Sequence, residues 1–305
     1  MPKNTKLPIN ITIMSVGGRG GNVLERLGDL DSKGIKRVAV GTSGKVFNRL
    51  VVVDKIELPN DKRLQSSSFD EVTVGELIDT KRAEINSVLQ NTDVLFLLGN
   101  VSSQTSAAEC CKLASMAQDK GTLVFFLGTL PFAFEGVSKQ SFALKNKELL
   151  EEHIDGVLIV DSNKLLNNEL SASDALTKTD QIIAEMVQEL TDVVLKFGVI
   201  NVDFADIKTT IAKAGELFFN TVVGDPSEPQ SIVDRLFSKT ILMDRVNRLG
   251  RALYVIYADK NVSMEEISAL GTIIQNKVDQ TARIIFGLVN EENMENKMKV
   301  VLIGG

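Results

Sequence analysis

The sequence predicts an α/β protein in two parts: a doubly wound, Rossmann-like parallel sheet, and a long central helix leading into a smaller α+β domain. Three observations predict it. Through the first 160 residues, short continuous apolar runs alternate with helical patterns; one helical stretch runs unbroken from Asp174 to Lys196; and beyond it the pattern changes to strands and helices of a second kind. The expected boundaries are 1–173 for the Rossmann-like domain, 174–197 for the central helix and 198–305 for the α+β domain.

In chain order, "NITIMSV" reads as a strand, "GNVLERLGDL" as a helix, "RVAVG" as a strand and "AEINSVLQ" as a helix. "DVLFLL" is the next strand, followed by a helix after residue 106, the strand "TLVFFLG", the helix "NKELLEEH" and the strand "GVLIVD". Runs apolar throughout are those of strands covered on both faces, which is the parallel-sheet pattern. In the central helix Leu176, Ile183, Val187, Leu190 and Val194 fall on one side, while Asp174, Asp180 and Glu189 fall on others. Further on, "TTIAKAGELFF" and "SMEEISALGTIIQNKV" read as helices, the second opened by Ser263 with Glu266 three residues later, a capping box. "ALYVIYA", "ARIIFGLV" and "KMKVVLI" read as strands, and "GDPSEPQ", residues 224 to 230, as a turn-rich connection.

Composition narrows the function. With 34 Lys+Arg against 40 Asp+Glu, both signs spread along 305 residues, neither a nucleic-acid partner nor direct membrane binding gains support. The longest apolar runs are too short to cross a bilayer, and the first ten residues lack the features of a secretion signal, so a soluble cytoplasmic protein is expected. Cys110 and Cys111 are adjacent in a predicted helix and point to different faces, so they read as small hydrophobes. His153 is the single histidine and no Cys or His cluster surrounds it, which argues against a metal site and a histidine base.

Three motifs carry chemistry. "MSVGGRGGN", residues 14 to 22, joins the first strand to the first helix, where glycines and a helix N-terminus suit a phosphate; its spacing is not that of a dinucleotide fingerprint. "GTLPFAFEG", residues 128 to 136, follows another strand. In "INVDFADIK", residues 200 to 208, Asn201, Asp203 and Asp206 lie at the start of a helix with the carboxylates three apart on one face. They read either as caps that complement the helix dipole or as acids that polarise a water for attack on a phosphate.

"SVGGRGGN", "PFAFEG" and "INVDFADIK", in this order around a long helix, resemble the FtsZ family, prokaryotic relatives of tubulin, over about residues 10 to 305. The resemblance implies the FtsZ/tubulin fold, GTP or GDP on the first domain with magnesium only alongside nucleotide, and self-association into filaments. It implies that Asn201, Asp203 and Asp206 are catalytic toward the neighbouring subunit's nucleotide. On the pocket side Gly17, Gly18, Gly20, Gly21 and Asn22 match the first phosphate and guanine loop, Glu135 the ribose-contacting acid and Asp180 the guanine-reading acid, while Lys139 falls where a phosphate-contacting Arg is usual.

The departures lie in the pocket. "NVSSQTSAAE", residues 100 to 109, occupies the turn where the family has "GGGTGTG"; its positions fall on Ser102, Ser103, Gln104, Thr105, Ser106, Ala107 and Ala108, of which Thr105 alone is retained. Ser15 replaces a glycine, Gly41 and Ser43 an Asn and an Asp, Ser162 a guanine-reading Asn and Leu176 a stacking Phe. Side chains in place of glycine disfavour the φ > 0 geometry that aims N–H groups at phosphate. Loss of two or three charge-assisted hydrogen bonds, at roughly 1.5–3 kcal/mol each, weakens binding about a thousandfold. Ser106 and Glu109 also form S-x-x-E, which would cap the helix and, with Arg19 across the pocket, place a carboxylate where phosphate would lie. Two other readings stay open: Glu109 as a solvent-facing acid, and serine hydroxyls that still hold nucleotide.

The expected function is that of an FtsZ-like cytoskeletal protein that forms filaments or associates with a true FtsZ, its GTP binding and hydrolysis weak or lost. The alternative is a GTPase with a remodelled phosphate loop. A nicotinamide oxidoreductase explains neither the central helix nor "INVDFADIK".

Overall fold

The computed structural model describes residues 9–28, 34–42, 44–51, 54–61, 71–166, 171–238, 242, 249–292 and 294–305. The chain divides into two compact units, residues 1–188 and 189–305, the division falling inside the long helix.

The first unit alternates strand and helix: β1 (Ile11–Val16), α1 (Gly17–Arg26), β2 (Ile35–Gly41), α2 (Lys45–Arg49), β3 (Asp54–Glu57), α3 (Glu71–Asp79), α4 (Arg82–Leu89), β4 (Val94–Leu98), α5 (Gln104–Gln118), β5 (Leu123–Thr129), α6 (Val137–His153) and β6 (Gly156–Val160), before α7 (Ala172–Leu195). Its strands lie in the order β3-β2-β1-β4-β5-β6. Every one of these pairings is parallel. Every residue of β1, β4, β5 and β6 is buried, the burial that their continuous apolar character requires. β2 leaves β1 on one side and β4 joins it on the other, so the winding reverses at β1/β4. A crevice opens there beyond the carboxyl ends of the strands, between the helices that leave them. Those helices are α1 and α5.

Two carboxylates, half-buried Asp93 and buried Asp155, fix strand ends at the amino-terminal side of the sheet. Asp93 Oδ2 accepts from the Asn10 N–H at 2.8 Å and Asp155 Oδ2 from the Val124 N–H at 3.0 Å.

The second unit holds α8 (Phe204–Ile211), a two-residue strand β7 (Gly215–Glu216), β8 (Phe218–Gly224), α9 (Pro229–Leu236), β9 (Arg251–Ala258), α10 (Met264–Lys277), β10 (Arg283–Asn290) and β11 (Met298–Gly304). Its sheet runs β10-β9-β11-β8. β9 and β10 are parallel, and β11 is antiparallel to both β9 and β8. Ile232, Val233 and Leu236 of α9 and Ile267, Leu270 and Ile274 of α10 form one core with Ile256, Val300 and Leu302 of the sheet. The capping box predicted at Ser263 is present: Ser263 Oγ accepts from the Glu266 N–H, and Glu266 Oε2 accepts from the Ser263 N–H.

Four expectations change. "TTIAKAGELFF" is not one helix: α8 stops at Ile211, and Phe218 and Phe219 open β8. Lys213 (φ 56°) and Gly215 (φ 68°) sit in the left-handed region, which ends a helix. α1 begins at Gly17, so the glycine run is the helix's own first turns rather than a loop before it. α5 begins at Gln104, two residues before Ser106. Finally, "GDPSEPQ" ends inside α9, with Pro229 at the first helical position, where its missing N–H costs nothing.

Candidate functional site

β1 runs directly into α1, whose N-terminal N–H groups have no capping side chain. Gly17 (φ +67°) and Gly18 are exposed, and a Cβ on Gly17 would touch nothing within 4 Å. Gly20 and Gly21 serve packing instead. A Cβ on Gly20 would collide with the Leu98 carbonyl oxygen of β4, and one on Gly21 would come within 2.7 Å of Val46 Cγ1. Two glycines thus leave main chain bare toward the crevice, and two let α1 lie close to the sheet and to α2. Asn22, half-buried, lies 3.3 Å from Arg49 Nη2 through its Oδ1.

Facing α1, the β4–α5 turn takes up several of its own donors. Asn100 Oδ1 accepts from the Ser102 N–H at 2.9 Å and the Ser102 hydroxyl at 2.8 Å. Ser103 is the N-cap, its Oγ accepting from the Ser106 N–H at 3.3 Å. Ser106 Oγ in turn accepts from the Asn100 N–H at 3.2 Å. The cap expected at Ser106 therefore lies three residues earlier. Without glycine the segment from Gln104 takes ordinary right-handed helical geometry, and the non-glycine positive φ values among the described residues are at Lys213, Glu295 and Asn296, none of them here. Ser106 is turned inward and buried, away from any ligand; Thr105, in the first turn, is half-buried.

Glu109 corrects both readings offered for it. It neither closes a capping box nor faces solvent: it is 6% exposed, and burial raises its carboxyl pKa to about 7. It forms no hydrogen bond to another described residue, and Arg19 is engaged elsewhere.

Arg19 Nε lies 2.9 Å from Asp180 Oδ1, an ion pair with the carboxylate almost fully buried. The two atoms are not aligned as a hydrogen bond, and each lacks another partner. Burial pushes the Asp180 carboxyl pKa up, opposed by Arg19 and then Arg26. The acid expected to read a base edge is thus paired within the chain.

The β5–α6 turn forms the other wall. Asn163 Oδ1 accepts from the Ala133 N–H at 2.7 Å, and Gln140 Nε2 donates to the Pro131 carbonyl at 2.9 Å. Phe134, 64% exposed, stacks on Phe132 with centroids 5.0 Å apart. Glu135 accepts from the Phe132 N–H at 2.9 Å and pairs with Lys139 at 3.0 Å. A cavity of about 290 Å³ lies between the walls, reached by Arg19, Asn100, Ser102, Phe134, Ser162 and Leu176. Ser162, 1% exposed, also lines it, and its buried hydroxyl has no hydrogen-bond partner.

Arg19 and Glu135 therefore line the cavity, with Gly17 and Gly18 next to Arg19 in α1, Asp180 paired with Arg19 and Lys139 with Glu135. Ser43, matched to the family's Asp, lies outside the described residues. Sequence reasoning passed over Asn100, Asn163 and Phe134. Asn100 follows Gly99 at a strand end, and Phe134 is in the quoted "PFAFEG", but which amide folds back on a turn is a matter of tertiary placement.

The acidic motif lies in the second unit. Ile200 forms a two-way bridge to Leu288 of β10, its N–H donating at 3.1 Å and its carbonyl accepting at 3.0 Å. Gly198 permits this, since a Cβ there would strike the Leu288 carbonyl oxygen. Asn201 Oδ1 accepts from the Gly198 N–H at 2.8 Å, closing the loop on itself. Asp203 takes the N-cap position of α8 but its side chain makes no capping hydrogen bond; Asp206, in the first turn, lies 3.7 Å from Arg283. Asn201 and Asp203 are exposed.

Parallel winding, a bare glycine-rich helix start at the switch point and a separate acidic loop define a nucleotide-type α/β protein with a second, accessory unit. Residues 10–169 match the Tubulin/FtsZ family, GTPase domain, and the chain belongs to that family. It is 28% identical over 302 residues to the cell division protein FtsZ of Aquifex aeolicus, covering 97% of this chain and 82% of that protein. Among solved structures, an empty FtsZ dimer from M. jannaschii superposes with a TM-score of 0.81 at 24% identity, covering 99% of this chain and 89% of that one. A GTPγS-bound protofilament of CetZ2 from Haloferax volcanii gives 0.80 at 18% identity, covering 97% and 93%. The fold expected from sequence is thus the fold found.

Proposed function

We propose that this chain is an FtsZ-like cytoskeletal subunit that assembles head-to-tail, alone or onto a true FtsZ, with its own GTP binding weak or lost. The observation that carries this is the β4–α5 turn, where Asn100 Oδ1 and Ser103 Oγ accept the Ser102 and Ser106 N–H groups a phosphate would otherwise use. Losing main-chain donors to a charged phosphate, at roughly 1.5–3 kcal/mol each, removes orders of magnitude in affinity. The cations give no compensation, because Arg19 is paired with Asp180 and Lys139 with Glu135. The similarity to a protofilament-forming fold and the exposed Asn201 and Asp203 support assembly as the activity. In this reading Asn201, Asp203 and Asp206 address the nucleotide of an adjoining subunit, and a partner FtsZ supplies that nucleotide with its magnesium.

A second reading, a GTPase with a remodelled turn, is favoured by the uncapped start of α1 beside exposed Gly17 and Gly18. Calorimetric titration with GTP and GDP in magnesium separates the two. The first reading expects no micromolar binding to the isolated subunit, and a micromolar Kd replaces it with the second. Sedimentation with and without a true FtsZ then distinguishes homopolymer from co-assembly.

A further inference from the structure

We infer that the cavity beside α1 takes an uncharged, nucleoside-type ligand in preference to a nucleoside triphosphate. The inference rests on the proposed loss of triphosphate binding and adds what the site would hold instead.

Charge is the first argument. The ionised side chains that reach the cavity are Arg19 and Glu135, and each is neutralised within the chain: Arg19 by Asp180 at 2.9 Å, Glu135 by Lys139 at 3.0 Å. Among the described residues the cavity therefore carries no net side-chain charge. What positive potential remains is the partial charge at the starts of α1 and α5, about half an elementary unit each, against the several charges of a triphosphate. Arg19 would have to leave a nearly buried carboxylate, stranding it unpaired, before it could serve a phosphate.

Size and polarity are the second. At about 290 Å³ the cavity sits at the lower end of small-molecule sites, roughly 300–1,000 Å³. On the side of the β4–α5 turn the Ser102 N–H is taken by Asn100 Oδ1, while the opposite wall offers a flat apolar surface, Phe134 stacked on Phe132, with Leu176 nearby. An aromatic heterocycle gains from such a face.

The third is an unmet hydrogen bond. Ser162, 1% exposed, is one of the residues around the cavity, and its Oγ is buried without a hydrogen-bond partner. Buried hydroxyls are ordinarily satisfied, and one left open in a cavity wall calls for a polar group from a ligand. A ring amine or carbonyl answers it without bringing charge.

The test is titration of the purified chain with guanosine, adenosine and GTP. We expect at least one nucleoside to bind tenfold or more tighter than GTP, and Ser162→Ala to weaken it at least threefold without changing the far-ultraviolet circular dichroism. Asp180→Asn and Glu135→Gln, which free Arg19 and Lys139, should each move the nucleoside-to-GTP preference at least threefold toward GTP, a change that a purely structural role would not produce. Tighter binding of GTP than of either nucleoside overturns this inference, and a micromolar Kd for GTP overturns the proposed function with it. Binding of none of the three at millimolar concentration overturns the inference alone and leaves the proposed function standing.

Discussion

Glu109 shows at the level of one residue what sequence spacing hides. Its place three residues after Ser106 fits a capping box, yet helix α5 starts at Gln104, and the carboxyl ends 6% exposed with a pKa near 7. Its folded-state pKa lies above the unfolded value of about 4.3, so its contribution to stability is fully present below that value and is lost as pH rises through 7. A shift of this size corresponds to about 3 kcal/mol, to order of magnitude. Urea midpoints measured from pH 5 to 8 should therefore fall for the wild type relative to Glu109→Gln, the variant gaining most at pH 8; parallel curves would refute the assignment. Ser103→Ala should cost about 1 kcal/mol through loss of the α5 cap, read from the same denaturation. A loss below a few tenths would mean that the cap contributes nothing.

At the level of elements, the glycine-rich start of α1 combines two demands that the motif alone merges. Gly20→Ala sets a methyl group against the Leu98 carbonyl and must move α1 off β4, whereas Gly17→Ala meets open space and only an unfavourable φ. We expect Gly17→Ala to cost about 1 kcal/mol and Gly20→Ala several times more, measured as thermal midpoints. Equal shifts would show that α1 yields without cost. The strands were legible because burial on both faces writes continuous apolar runs, and α10 because its cap is local. "TTIAKAGELFF" was not, because Lys213 and Gly215 turn the chain with backbone angles that periodicity does not record. Glu135, Asp180 and Lys139 were legible as the charged residues of their motifs, and Glu135 lines the cavity. Their pairing was not, since Arg19 and Asp180 meet only when α7 lies beside α1 in the first unit.

At the level of the whole molecule, the pocket belongs to one compact unit and the acidic loop to the other. On the proposed reading, a contact that joins the loop of one copy to the pocket of another is heterologous, so it propagates rather than closing in a pair. The double change Asp203→Ala, Asp206→Ala should return the GTP hydrolysis of a co-assembled FtsZ to its unaided rate while leaving co-sedimentation in place. An unchanged rate would remove these acids from the chemistry. No helix among the described residues is long and apolar enough to cross a membrane.

The Ile200–Leu288 bridge gives this arrangement its independence. Because the acidic segment is stitched to a β-strand by main chain, its shape comes from folding of the accessory unit and owes nothing to what the other unit holds. On the proposed reading, a subunit with an empty site would still present a finished tooth. Amide hydrogens at Ile200 and Leu288 should accordingly exchange slowly in the isolated, ligand-free chain, at rates that added nucleotide does not change.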